Sequence, residues 1–244
     1  MKKIFIAVRS PVLTIGVFLI SLLCAGLLEG IISSLPIDGV SSLLTMLLLR
    51  KLGVFLCFVV PPILYMIFMK SLSLHYLGLH REKWFKRMLL GATMSIPIAA
   101  LWVFDFTLEY RALPTFTSEL DLSFPSSLYG VEFPRLTLQQ YLLFEVVNQL
   151  LVSVGEEVLF RGLLQTSLME SYGHIRGYSI VVAVFTVLHL SSGYPLFPVL
   201  MDALIGGAML GLLYYKTSSL ITPIVTHYTA NLLERVLTAS LRFG

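Results

Sequence analysis

Long apolar runs separated by short polar clusters fill this chain from Pro11 onward. A helix needs about 20 apolar residues to cross a bilayer core. Runs at 11–32, 52–69, 89–106, 138–169, 178–190, 197–215 and 220–239 are the candidate spans. The fifth is short, so it is tilted, recessed, or extended towards Gly173. Segment 43–49 is apolar but ends at Arg50-Lys51, a pattern that predicts an interfacial helix rather than an eighth full span. Segment 70–88 mixes Leu72, Leu74, Leu77, Trp84 and Phe85 with Lys70, Arg81, Lys83, Lys86 and Arg87, which suits a helix on an anionic membrane surface. No internal repeat or low-complexity tract is evident. The pattern predicts an all-α fold, a polytopic transmembrane helical bundle of about seven spans plus an interfacial helix.

Composition agrees. The 244 residues are 57% hydrophobic and 13% charged, with a mean hydropathy of +0.86, whereas soluble domains carry about 25% charged residues. The net charge of +3 comes from basic loops and argues for membrane orientation, not nucleic-acid binding. Lys2, Lys3 and Arg9 precede the first span, while loop 107–137 carries Glu109, Glu119, Asp121 and Glu132 against Arg111 and Arg135. The positive-inside rule puts the N-terminus and segment 70–88 in the cytoplasm, although Arg50-Lys51 runs against it. Met1-Lys2-Lys3 before an apolar run has the look of a signal peptide. Run 11–32 is too long for a signal core and no small-x-small site follows, so it reads as a retained first span. Cys24 and Cys57 lie in apolar runs, read as small hydrophobes rather than a bridge, and their spacing offers no metal motif.

Candidate chemistry sits inside the apolar runs. Glu156-Glu157-Val158-Leu159-Phe160-Arg161 places two carboxylates and a guanidinium in a span, which costs several kcal/mol unless they are paired or hydrated. Glu157 and Arg161 share a helix face in the favourable order, whereas Glu156 points about 100° away. Glu145 and Gln149 fall within about 20° of the Glu156 direction. This division predicts a Glu157–Arg161 structural clamp that leaves Glu156 free to react. The competing reading is a buried ion pair that only fixes helix packing. His189 alone reads as an interfacial anchor or a satisfied core histidine. His227 and Asn231 share one face, continued by Glu234, and alone they read as interhelical glue.

Together these groups mean more. A carboxylate and two imidazoles on three successive apolar helices form a functional-site hypothesis, and Glu29, Asp105 and Asp202 lie nearer span ends. Amide hydrolysis needs an activated water, a held oxyanion and a proton for the leaving amine. Glu156 with His189 suits the first task, and His227 with Asn231 suits the second. No serine or cysteine arrangement stands out as a nucleophile, which leaves water. The set Glu156, His189 and His227 also matches the His₂Glu ligands of catalytic zinc, although no His-Glu-x-x-His is present.

Glu156-Glu157-x-x-x-Arg161, Phe185-x-x-x-His189 and His227-x-x-x-Asn231 resemble, in order and placement, the three motifs of the CPBP family. These are the CAAX-type prenyl-protein endopeptidases and bacteriocin-processing (Abi) proteases, with the ras-converting enzyme as a eukaryotic relative. The resemblance divides the chain into N-terminal transmembrane helices and loops over 1–137 and a CPBP-like catalytic helical core over 138–244, in one integrated bundle. It implies an intramembrane endopeptidase in which Glu156 and His189 activate water, His227 and Asn231 stabilise the oxyanion, and Glu157 and Arg161 support them. A glutamate-type mechanism without metal is favoured over a metalloprotease. The implied partners are membrane lipids and a peptide or lipidated-protein substrate. Small size and short tails suit a prokaryotic plasma-membrane member, for which a short peptide or leader is the preferred substrate.

Two other classes compete. One is a non-catalytic regulatory or binding protein. The other is a proton-coupled transporter relaying through Glu156, His189 and His227, for which inverted repeats and broken helices are expected. Pro61-Pro62 is a candidate break and Pro97 a candidate kink, but repeat symmetry is lacking. Gly207-x-x-x-Gly211 reads as a close-packing face.

Overall fold

Proline at a first helical position loses nothing, because that N–H has no partner anyway. Pro11 opens the first helix in this way. The computed structural model describes residues 11–35, 40–70, 83–112, 137–191 and 200–243, and among them every regular element is helical. In chain order they are α1 (Pro11–Ser33), α2 (Val40–Lys70), α3 (Trp84–Ala112), α4 (Leu138–Glu156), a π-helical stretch (Glu157–Gln165), α5 (Thr166–Tyr172) and α6 (His174–Ser191). A second π-helical stretch (Leu200–Gly206), α7 (Gly207–Thr217) and α8 (Ile221–Phe243) complete the set.

α1 and segment Leu44–Phe68 of α2 are each long and apolar enough to cross a membrane, with mean hydropathies of 2.4 and 2.1. Both turn large apolar side chains outward, including Leu19, Leu23, Leu27, Leu56, Val60 and Leu64. Segment His174–Leu190 of α6 is a shorter apolar helix, and α6 does extend back to Gly173. The 138–169 run becomes α4, the π stretch and α5 in direct succession.

One expected element is absent. Segment 43–49 is not a separate interfacial helix, because α2 runs without a break through Arg50-Lys51. Arg50 pairs with Glu29 of α1, so its charge is met inside the helix pair rather than ending the helix at the interface. α2 also runs on through Pro61-Pro62, and α3 through Pro97, so neither site breaks its helix. Of the expected surface helix over 70–88, Trp84 and Phe85 open α3. Residues 71–82, Lys2, Lys3, Arg9 and loop 113–136 lie outside the described residues, as do the side chains of Asp105 and Asp202.

α4 starts on a capping box, with the Thr137 hydroxyl accepting from Gln140 N–H and the Gln140 side chain accepting from Thr137 N–H. It lies between α2 and α8, while α3 runs along α8 and α1 along α2. The π stretch that follows touches α1, α2, α6 and α7, which puts its side chains at the centre of the packing. Phe160 stands edge-on to Phe18 at 5.4 Å and to Phe185 at 4.9 Å, and Leu159 is wholly enclosed. The turn between α5 and α6 uses Gly173 at φ +85°, and Gly177 then presses onto α5. A Cβ at Gly177 would lie 2.3 Å from the Met169 backbone nitrogen. Backbone cannot step aside as a side-chain tip can. Gly177→Ala is therefore expected to cost about 1–3 kcal/mol, read as a lower melting temperature in detergent.

Candidate active site

A π turn admits an extra residue through i→i+5 bonding and is often found at functional sites. All nine residues of Glu157–Gln165 are buried, so any charge among them needs an internal partner. Glu157 is 0% exposed and Arg161 1%. Arg161 Nη1 donates to Glu157 Oε1 at 3.1 Å, as the i, i+4 spacing predicts. Its Nη2 donates to the Gly207 carbonyl at 3.0 Å, and its guanidinium carbon lies 4.7 Å from the centre of the Phe185 ring. One turn on, Gln165 Nε2 donates to the Gly211 carbonyl at 2.8 Å. The two donors four apart thus match the two glycines four apart. A Cβ at Gly207 would come within 2.9 Å of Phe185, so Gly207-x-x-x-Gly211 is indeed a close-packing face.

Glu157 has a second partner. His227 Nδ1 lies 2.9 Å from the same Oε1 that receives Arg161. A carboxylate facing an imidazole accepts, so Nδ1 carries the hydrogen and Nε2 faces away from Glu157. The clamp foreseen between Glu157 and Arg161 is therefore also the hold on His227. Glu157 Oε2 and Arg161 Nε have no hydrogen-bond partner among the described residues.

Glu156 differs sharply from its neighbour. It ends α4 half-buried, and among the described residues no hydrogen bond or ion pair engages its carboxylate. Its electrostatic neighbour is Lys51 of α2, which also feels Glu145 and Glu29. α2 comes close here, since a Cβ at Gly155 would lie 3.7 Å from Phe55 Cα. Glu145 and Gln149 bond to each other at 2.6 Å, but Glu156 does not join their chain of hydrogen bonds.

His189 sits on α6 with its ring 4.4 Å from that of Phe185, centre to centre. Its Nδ1 lies 2.8 Å from the Phe185 carbonyl. A carbonyl only accepts, so Nδ1–H donates, and in the neutral imidazole Nε2 then keeps its lone pair. Phe185 thus links His189 to Arg161, and Arg161 leads to Glu157 and His227. Asn231 donates from Nδ2 to Gln149 Oε1 at 2.7 Å. The residues that sequence reasoning left without a role are Asn148 and Gln165, both buried. Their spacing from Glu145 and Arg161, three and four residues, was the available signal.

Among the described residues no three His, Cys, Asp or Glu side chains gather closely enough to hold a metal ion.

Residues 138–233 match the family model of the type II CAAX prenyl endopeptidase Rce1-like proteins. This supports assignment of the chain to the CPBP/CAAX protease family. The matched segment contains Glu156, Glu157, Arg161, His189, His227 and Asn231, while α1 to α3 lie outside it. The CAAX-protease match suggests intramembrane endopeptidase activity and supports a protease. Proteins of this family are membrane proteins, in keeping with the two apolar helices of the N-terminal half. No curated protein and no solved structure matches the chain.

Proposed function

We propose that this protein is an intramembrane endopeptidase, built as a bundle of about seven spans, that hydrolyses a peptide bond with a water activated by Glu156 and His189. The observation that carries the reading is the contrast between adjacent glutamates. Glu157 is committed to Arg161 and His227, while the carboxylate of Glu156 has no hydrogen bond or ion pair among the described residues and only a longer-range attraction to Lys51. A general base needs that freedom; a structural anion needs the opposite.

In the proposed reaction, Glu156 accepts a proton from water as the oxygen attacks the substrate carbonyl carbon. The lone pair on His189 Nε2 accepts the water's second hydrogen bond and orients it. The carbonyl π electrons move onto oxygen, and His227 and Asn231 donate to that oxyanion. With Nδ1–H already given to Glu157, His227 donates from Nε2 only as the imidazolium. When the tetrahedral intermediate collapses, the C–N bond breaks and Glu156 returns its proton to the leaving amine. The carboxylate is then restored and no cofactor is consumed.

The family is one that acts on prenylated peptides in membranes, and the substrate class assigned here is broader: a membrane-associated peptide or leader, lipidated or not. The test is metal-stripped wild type in detergent with fluorogenic peptides, with and without a lipid chain. Cleavage that survives chelation is expected. Asn231→Ala is expected to lower kcat by about 10²–10³-fold while the protein still folds. Cleavage of no peptide overturns the protease reading, and loss on chelation with recovery on zinc overturns the metal-free one.

A further inference from the structure

A second buried polar chain crosses from α4 to α8, where it reaches Asn231, one turn after His227. Glu145, Asn148 and Gln149 are all buried. Glu145 Oε2 receives Asn148 Nδ2 at 2.9 Å and Gln149 Nε2 at 2.6 Å. On the other side, Gln149 Oε1 receives Asn231 Nδ2 at 2.7 Å. α4 and α8 pack along each other, so this chain lies within their contact.

The order of atoms along it follows from donor and acceptor chemistry. A side-chain amide looks nearly the same when flipped, and only its partners set its sense. Glu145 Oε2 is a carboxylate oxygen and accepts, so it takes the nitrogen end of Gln149 as it takes that of Asn148. The oxygen end of Gln149 then faces α8 and demands the nitrogen end of Asn231. Asn231 is thereby turned NH₂-first, with one N–H on Gln149 and one left to give. Flipped, it would present Oδ1, which repels an oxyanion.

We propose that Gln149 is a positioning residue for the reaction, acting through Asn231, and that Glu145 sets the sense in which it acts. The proposal rests on the reading of Asn231 as an oxyanion donor. It gives a role to a residue that touches no substrate and lies outside the three motifs.

Gln149→Met keeps the length of the side chain and removes both amide ends; Glu145→Gln leaves Gln149 in place but frees its sense. Each is measured for kcat and KM on a peptide that wild type cleaves, alone and combined with Asn231→Ala. Each single change is expected to lower kcat about tenfold or more with KM little changed, and to add nothing once Asn231 is gone. Losses that multiply with that of Asn231→Ala overturn the proposal. A second readout does not depend on cleavage. In protein labelled with ¹⁵N-asparagine, the side-chain signal that disappears in Asn231→Ala is expected to shift in Gln149→Met. An unshifted signal overturns the relay even if peptides are cut. A shifted signal in a protein that cuts nothing sustains the relay and sinks the protease reading alone.

Discussion

Arg161→Met is expected to cost about 3–5 kcal/mol of folding stability, the usual penalty for leaving a buried charge without its partner. Glu157 would stay in a site with no exposure, its Oε1 reduced to His227 and its Oε2 still without a partner among the described residues. The Gly207 carbonyl and the face of Phe185 would each lose the same cation. Methionine fills the volume but replaces none of these interactions. Glu157→Gln is expected to be milder, because its amide oxygen still accepts from Arg161 or His227. Denaturation in detergent measures both variants. An Arg161→Met loss below about 1 kcal/mol would mean that the ion pair does not hold the bundle together.

Glu156→Gln is expected to show the opposite profile. Its carboxylate has no hydrogen bond or ion pair among the described residues, so stability should stay within about 0.5 kcal/mol of wild type. Hydrolysis should fall by about 10²–10⁴-fold, the usual contribution of a positioned general base. An amide fills the same space but takes no proton from water. Two adjacent glutamates would then separate cleanly, one read in the melting curve and the other in kcat. A parallel loss of stability in Glu156→Gln would give it the same structural duty as Glu157.

How much of this was readable in advance depends on the range of each contact. The Glu157–Arg161 pair and the shared face of His227 and Asn231 follow from helical spacing, which needs only neighbours within one turn. The bonds from His227 to Glu157 and from Asn231 to Gln149 span 70 and 82 positions. They depend on how α8 is rotated against α4, and periodicity within one helix says nothing about that. The π turn was equally hidden, since no residue type marks where i→i+5 bonding begins.

The misreading at 43–49 has the same origin. Arg50 looked like a boundary because a cation at membrane depth is costly alone, and its partner Glu29 is 21 positions away on α1. The extension of the short fifth span towards Gly173 was one of the readings its length allowed, and the polar His174 and Arg176 do lie within α6. Gly207-x-x-x-Gly211 was legible as a packing face. The donors it accommodates, Arg161 and Gln165, were not, because their acceptors are backbone carbonyls rather than side chains.

The most direct test compares wild type and Glu156→Gln, matched for melting temperature and stripped of metal, on the same lipidated and unlipidated peptides. Mass spectrometry of the products reports every new terminus. New termini from wild type alone are the predicted result. Equal cutting by both proteins would show that Glu156 is not the base, and would contradict the account at its centre.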